Sequence, residues 1–184
     1  MKIKFGVKHI VATGIGAALF FVLGRFVAIP SGVPNTNISI QYGLLAFIAA
    51  VFGPIAGFLA GFIGHFFIDF SFGWGVWWSW VIASSLFGCL VGLLAGVLKV
   101  DEGSFDIGKI VKFNIVQVIG HLCAWVVIAP VLDILIYGEP ANKVFLQGLV
   151  SAGINILATA VIGTLLCVAY SKAIPNKGSL KEED

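Results

Sequence analysis

Most of this chain consists of long apolar segments separated by short polar breaks. The breaks are rich in Gly, Pro, Asn and Lys, and they leave apolar segments at 8–29, 39–51, 54–70, 76–98, 111–135 and 144–171. A helix needs about 20 apolar residues to cross a hydrocarbon core ~30 Å thick. The sequence therefore predicts an all-α integral membrane protein: a single domain over 1–184, built as a bundle of six transmembrane helices.

The composition agrees with this prediction and argues against a soluble protein. Hydrophobic residues make up 59% and charged residues 11% of the 184 residues, and the mean hydropathy is +1.05. This leaves too little polar surface to cover a water-soluble globule. The lysines form no patch interleaved with aromatic residues, so no nucleic-acid partner is predicted.

Lysine and arginine predict the orientation, because the cytoplasmic flanks of membrane helices retain these residues. With the N-terminus inside, nine of the eleven lie on the cytoplasmic side: Lys2, Lys4, Lys8, Lys99, Lys109, Lys112, Lys172, Lys177 and Lys181. Only Arg25 and Lys143 lie outside. An even number of spans returns the C-terminus to the cytoplasm. We expect a multi-pass cell-membrane protein with both termini cytoplasmic.

Polar and aromatic residues collect at the predicted extracellular ends of the helices. Polar groups within membrane spans are costly and usually face a cavity or a partner group. The candidate substrate-binding residues are Arg25, Asn37, Gln41, His65, Asp69, Trp74, Trp77, Trp78, Asp133, Tyr137, Asn142 and Gln147. The cluster predicts a ligand site that opens to the outside.

Two features of this cluster have alternative interpretations. His65 and Asp69 are four residues apart and share a helix face, so they are placed to bind a ligand together, or Asp69 instead pairs with Arg25. The tryptophans at 74–80 belong either to an interfacial aromatic belt or to a surface that stacks on a planar heterocycle.

Small and polar residues also repeat every four positions along two helices. Gln147, Ser151, Asn155 and Thr159 form a polar stripe whose upper part is predicted to line a pocket. The first helix carries two small-residue ladders, Ala12 with Gly16 and Gly14 with Ala18, which allow close helix packing. One ladder is predicted to face a partner protein.

Motifs for catalysis are missing from the sequence. It has no HExxH, GxSxG, Walker A or CxxC pattern, so we predict no catalytic residue, no metal site and no cofactor in this chain. If transport is active, its energy must come from another chain.

The sequence resembles the substrate-binding S components of energy-coupling factor (ECF) transporters over nearly its whole length. The strings that carry the resemblance are ATGIGAALFFVL at 12–23, IPSGVPNTN at 29–37, FGPIAG at 52–57, WWSW at 77–80 and LDILIYGEPANK at 132–143. The resemblance implies a membrane subunit that captures a vitamin on the extracellular side and delivers it through an ATP-driven module.

The same resemblance implies partners and a class of ligand. The partners are a transmembrane T component, which docks on the small residues of the first helix, and two ABC-type ATPases. The chain begins Met1-Lys2-Ile3 without the Met-His segment expected of nickel or cobalt S components. The resemblance favours a pyrimidine or pyridine vitamin precursor, such as hydroxymethylpyrimidine or pyridoxine.

Two other functions remain as alternatives. One is an ATP-independent channel or facilitator for small solutes, although the sequence lacks an Asn-Pro-Ala half-helix signature and a ring of charges. The other is a membrane-embedded enzyme that uses His65 and Asp69 as an acid–base pair.

Overall fold

The computed structural model describes residues 6–73 and 75–174, and most of them are helical. The α-helices are α1 Val7–Val22, α2 Gln41–Phe72, α3 Trp78–Gly92, α4 Ala95–Leu98, α5 Ile107–His121, α6 Ala129–Tyr137, α7 Ala141–Ala158 and α8 Thr164–Ala173. Three π-helical segments extend or join these helices, at Leu23–Val27, Leu122–Ile128 and Thr159–Gly163. A 3-10 turn, Val100–Glu102, follows α4.

The prediction of an all-α membrane protein is confirmed. Within the described ranges, five helical stretches are long and apolar enough to cross a bilayer: Val7–Val27, Gln41–Phe72, Trp78–Glu102, Ile107–Tyr137 and Ala141–Ala173. Many large apolar side chains on their outer faces are exposed, as lipid-facing positions require.

The second stretch reverses its direction at Gly53, so it contains two of the predicted helices. Gly53 has φ 87°, in the left-handed region that glycine adopts without strain. A Cβ added at Gly61 would lie 3.1 Å from Cδ2 of Leu45, whereas a straight helix would hold these residues about 24 Å apart. The two halves of α2 therefore fold back on each other, so the five long apolar stretches of the described residues contain six membrane-spanning segments.

Glycines allow the second half of α2 to pack directly on α3. A Cβ added at Gly57 would collide with the carbonyl oxygen of Gly88, and one added at Gly61 would lie 2.7 Å from that of Ser84. Gly92 meets Pro54 in the same way. The helices therefore touch backbone to backbone, as small residues allow.

A short hairpin follows the first span. Strand β1, Ile29–Pro30, pairs antiparallel with β2, Asn37–Ile38, with Ile29 opposite Ile38. This pairing was not predicted from the sequence. The hairpin lies at the end of the bundle where α3 begins and α6 ends, opposite the end that carries Lys99 and Lys109.

Candidate functional site

Asp133 is the centre of a hydrogen-bond network at the predicted extracellular end. Its side chain on α6 is 1% exposed. Its Oδ1 accepts the indole N–H of Trp77 at 2.7 Å, its Oδ2 accepts that of Trp80 at 2.7 Å, and the Ser79 hydroxyl also donates to Oδ1. A buried carboxylate is costly unless it is hydrogen-bonded. The three donors offset that cost and fix both indoles.

The Trp77 segment has two further anchors. The backbone N–H of Trp77 donates to Oδ2 of Asp69 at 2.9 Å. Its indole stacks on the ring of Tyr137, with centroids 4.3 Å apart and planes 25° from parallel. The Tyr137 hydroxyl accepts the backbone N–H of Trp78 at 2.9 Å. The segment is thus joined to the end of α2 and the end of α6.

His65 and Asp69 lie on one face of α2, as their spacing predicts. Nε2 of His65 is 3.6 Å from Oδ1 of Asp69, and its Nδ1 is 2.5 Å from the Ser84 hydroxyl. That hydroxyl is also 2.9 Å from the hydroxyl of Tyr42. A chain of polar groups therefore runs from Asp69 into the bundle.

Asp69 does not pair with Arg25, so that alternative interpretation is wrong. The Arg25 guanidinium instead lies over the ring of Phe72, with Cζ 4.3 Å from the centroid. It is also 5.5 Å from the ring of Phe26. Arg25 interacts with aromatic faces near the end of the first span and does not line the cavity described next.

These groups surround a cavity with two adjoining parts. The wide chamber, about 250 Å³, is lined by the predicted residues His65, Asp69, Trp77, Asp133 and Gln147, and by Asn35, Trp80, Glu139, Lys143 and Val144. The narrow chamber measures about 110 Å³. Asn35, His65, Asp69 and Trp80 line both. Together the two volumes fall within the ~300–1,000 Å³ typical of small-molecule sites.

The wide chamber combines aromatic and ionisable side chains. Trp77 and Trp80 are among its walls, and Lys143 and Glu139 form an ion pair there with Nζ and Oε2 2.6 Å apart. Gln147 donates its amide to the carbonyl oxygen of Pro34 at 2.7 Å. That bond joins the hairpin to α7. Gln147 therefore has a structural role in addition to its place in the wall of the wide chamber.

The narrow chamber is lined by a largely different group of side chains. Its walls include the predicted residues Asn37 and Gln41, and Gln41 accepts a hydrogen bond from the Ser39 hydroxyl. Candidate residues absent from the sequence-based set are Tyr42, Ser151 and Asn155. Ser151 and Asn155 belong to the polar stripe on α7, whose upper part lines the cavity. The four-residue spacing of that stripe is the sequence signal that identifies them.

The remaining candidates lie away from the cavity. Trp78 is 42% exposed and packs on Phe62 and Phe66, and Asn142 is exposed at the start of α7. Tyr137 stacks on the indole of Trp77 and lines neither chamber. Trp74 lies outside the described residues.

The two ladders on α1 have different surroundings. A Cβ added at Gly16 would lie 3.2 Å from the side chain of Ile48, and Gly16 is buried. Gly14 has no atom within 4 Å of such a Cβ, and Ala18 is also exposed. Ala12 is half-buried. The ladder of Gly14 and Ala18 therefore faces outward.

Known proteins resemble this chain in sequence and in fold. The family model described as ECF-type riboflavin transporter, S component, matches residues 4–172. Two relatives designated UPF0397 proteins, from Exiguobacterium sp. (strain AT1b) and Staphylococcus aureus (strain Newman), are 54% and 50% identical over 98% and 99% of both chains. The crystal structure of the S component for biotin from an ECF-type ABC transporter superposes with a TM-score of 0.62. The superposition covers 91% of this chain and 93% of the biotin S component. The two sequences are only 16% identical, so this likeness concerns the fold alone.

Proposed function

Because this chain belongs to the ECF-type riboflavin transporter S-component family, we propose that its two-chambered cavity captures one small planar heterocycle of the vitamin or vitamin-precursor class. The chain is a multi-pass membrane protein and a substrate-binding transporter subunit rather than an enzyme. ATP hydrolysis belongs to partner chains.

The fixed indoles of Trp77 and Trp80 at the wide chamber are the observation that carries this proposal. Both are held by the buried carboxylate of Asp133, so the chamber keeps its shape before a ligand arrives. Preorganised groups bind more tightly because less ordering is needed on binding. Indole faces stack well on planar rings, and His65 and Asp69 supply polar groups for ring nitrogens or amines.

The candidate ligands are hydroxymethylpyrimidine and pyridoxine. Each is a single planar ring that carries hydrogen-bonding substituents, which suits a small cavity with aromatic and polar walls. Riboflavin, which the family description mentions, is the larger compound against which these two should be compared.

The proposed partners are a transmembrane T component and two ABC-type ATPases. We place the docking surface on the outward-facing ladder of Gly14 and Ala18, because small residues let two helices approach closely. The exposed side chains of Val11 and Ile15 flank this ladder and would pack against the partner helix.

The direct test is to purify the chain without partners and identify any co-purifying small molecule by mass spectrometry. Hydroxymethylpyrimidine, pyridoxine and riboflavin should then be titrated into the ligand-free protein. Saturable binding of a planar heterocycle at one site per chain supports the proposal. Absence of binding by all three compounds, with no co-purifying heterocycle, would overturn it.

A further inference from the structure

Ser151 and Asn155 are buried polar residues whose side chains have no hydrogen-bond partner within residues 6–73 and 75–174. They lie one turn apart on α7, are 7% and 4% exposed, and line the narrow chamber. Neither side chain makes a hydrogen bond to any residue that the structure describes. By contrast, the Ser85 hydroxyl, which is also buried, donates to the carbonyl oxygen of Val81 at 2.7 Å.

Such a pair requires an explanation, because nearly all buried polar side chains in folded proteins are hydrogen-bonded. A hydroxyl or amide that neither a protein group nor water can reach carries the full penalty of its lost hydration, so such groups are usually placed where a partner can approach. In this chain both groups face a cavity. Among the described residues, Oε1 of Gln117 is the one fully enclosed side-chain polar atom without a partner, so the polar atoms of Ser151 and Asn155 open into the cavity. Their partners therefore come from what enters the cavity, either water or a ligand that replaces it.

The chemistry of the chamber limits the occupant. A serine hydroxyl and an asparagine amide each donate and accept, and neither carries a charge. Among the described residues lining the narrow chamber there is no lysine or arginine, while Asp69 contributes a carboxylate. A phosphate or carboxylate would meet a like charge and no cation. An uncharged group that both donates and accepts, such as a hydroxyl, can pair with both Ser151 and Asn155.

We infer that the narrow chamber is a second subsite, which receives an uncharged, hydroxyl-bearing arm of the ligand while the wide chamber holds its planar ring. The two chambers share Asn35, His65, Asp69 and Trp80 as walls, so one molecule spans both. Ser151 and Asn155 are the residues that select for the arm. This inference rests on the proposed function, because the wide chamber must hold a ring for an arm to extend from it.

Three pairs of probes test it, each matched in its ring and different in its arm. They are hydroxymethylpyrimidine against the analogue with a methyl in place of its hydroxymethyl, pyridoxine against deoxypyridoxine, and riboflavin against lumiflavin. Affinities are measured by calorimetry, or by flavin fluorescence for the last pair. At least one pair should bind, and its hydroxylated member should bind about tenfold or more tightly, because loss of a hydrogen bond leaves buried groups unpaired.

Substitutions on α7 then test whether Ser151 and Asn155 cause the preference for the hydroxylated member of a pair. In Ser151→Ala and Asn155→Leu the preference for the hydroxylated member should shrink to within about threefold, while the ring-only member keeps its affinity. The matched control is Ser85→Ala, a buried serine that lines neither chamber and should retain the full preference.

The outcomes separate the inference from the proposed function. If no member of any pair binds, this inference fails, and the proposed function fails with it when no heterocycle co-purifies either. If a ring-only compound binds as tightly as its hydroxylated partner, the subsite alone is wrong, and this comparison needs only the wild-type protein. A preference that survives in both α7 variants also overturns the inference.

Discussion

The indole nitrogen of Trp77 and the carboxylate of Asp133 are 2.7 Å apart, although 56 residues separate them in the sequence. This bond joins the segment before α3 to α6 directly beside the cavity. Because Trp80 and Ser79 donate to the same carboxylate, the arrangement of the aromatic wall depends on one buried side chain.

We expect Asp133→Asn to weaken ligand binding by roughly tenfold and to lower stability. An asparagine amide offers one acceptor oxygen to three donors, and loss of a hydrogen bond to a charged group costs about 1.5–3 kcal/mol. Calorimetric titration and thermal unfolding in detergent measure the two effects. The control is Asp106→Asn at the other end of the bundle, which caps α5 and should be neutral because asparagine caps helices equally well. Wild-type affinity in Asp133→Asn would show that the indoles need no such support.

Trp80→Ala and Trp78→Ala should differ sharply in ligand affinity. Trp80 lines both chambers, whereas Trp78 faces Phe62 and Phe66 outside them. Loss of a stacking surface at Trp80 should cost at least ~1.4 kcal/mol, or about tenfold in affinity. Trp78→Ala should bind within about twofold of wild type. Equal losses in both variants would mean that the site lies elsewhere.

Leucine substitutions on α1 should separate partner docking from folding. Gly14→Leu projects outward, so the protein should insert and bind ligand normally but fail to co-purify with the T component and its ATPases. Gly16→Leu should instead lower the unfolding temperature, because its side chain would enter the space of Ile48. If Gly14→Leu retains its partners, the docking surface is not this ladder.

The contact between Gly57 and Gly88 should tolerate no side chain. A methyl at Gly88 meets the backbone of Gly57, which cannot yield as a flexible side chain would. We expect Gly88→Ala to destabilise the protein by about 1–3 kcal/mol. Gly153→Ala on α7 is the matched control, because its Cβ would meet nothing within 4 Å. Thermal unfolding of both variants in one detergent provides the comparison, and equal unfolding temperatures would contradict the expected backbone contact.

Much of the fold follows from local sequence signals. Apolar segment length predicts membrane helices, and Gly53 with Pro54 marks the reversal inside α2 because glycine permits φ 87° and proline begins a new helix readily. The spacing of His65 and Asp69 places them on one face, which the structure retains. These signals involve residues only a few positions apart.

The rest depends on contacts between distant residues. Trp77, Trp78 and Trp80 look equivalent in the sequence, and only the rotation of α3 against α6 decides which indoles reach Asp133. Gly14 and Gly16 likewise differ only because Ile48 packs against one of them. Periodicity identifies a stripe on a helix, but it does not say which neighbour that stripe meets.

Uptake by proteoliposomes tests the central claim, that this chain captures a substrate for an ATP-driven module, most directly. Vesicles are prepared with the chain alone or with its T component and two ATPases, and the radiolabelled compound identified by co-purification is added outside. We expect binding in both preparations, and accumulation against a gradient only when the module and internal ATP are present. Concentrative or ATP-dependent uptake by the chain alone would contradict the claim, as would equilibration through it without ATP, which is the behaviour of a facilitator.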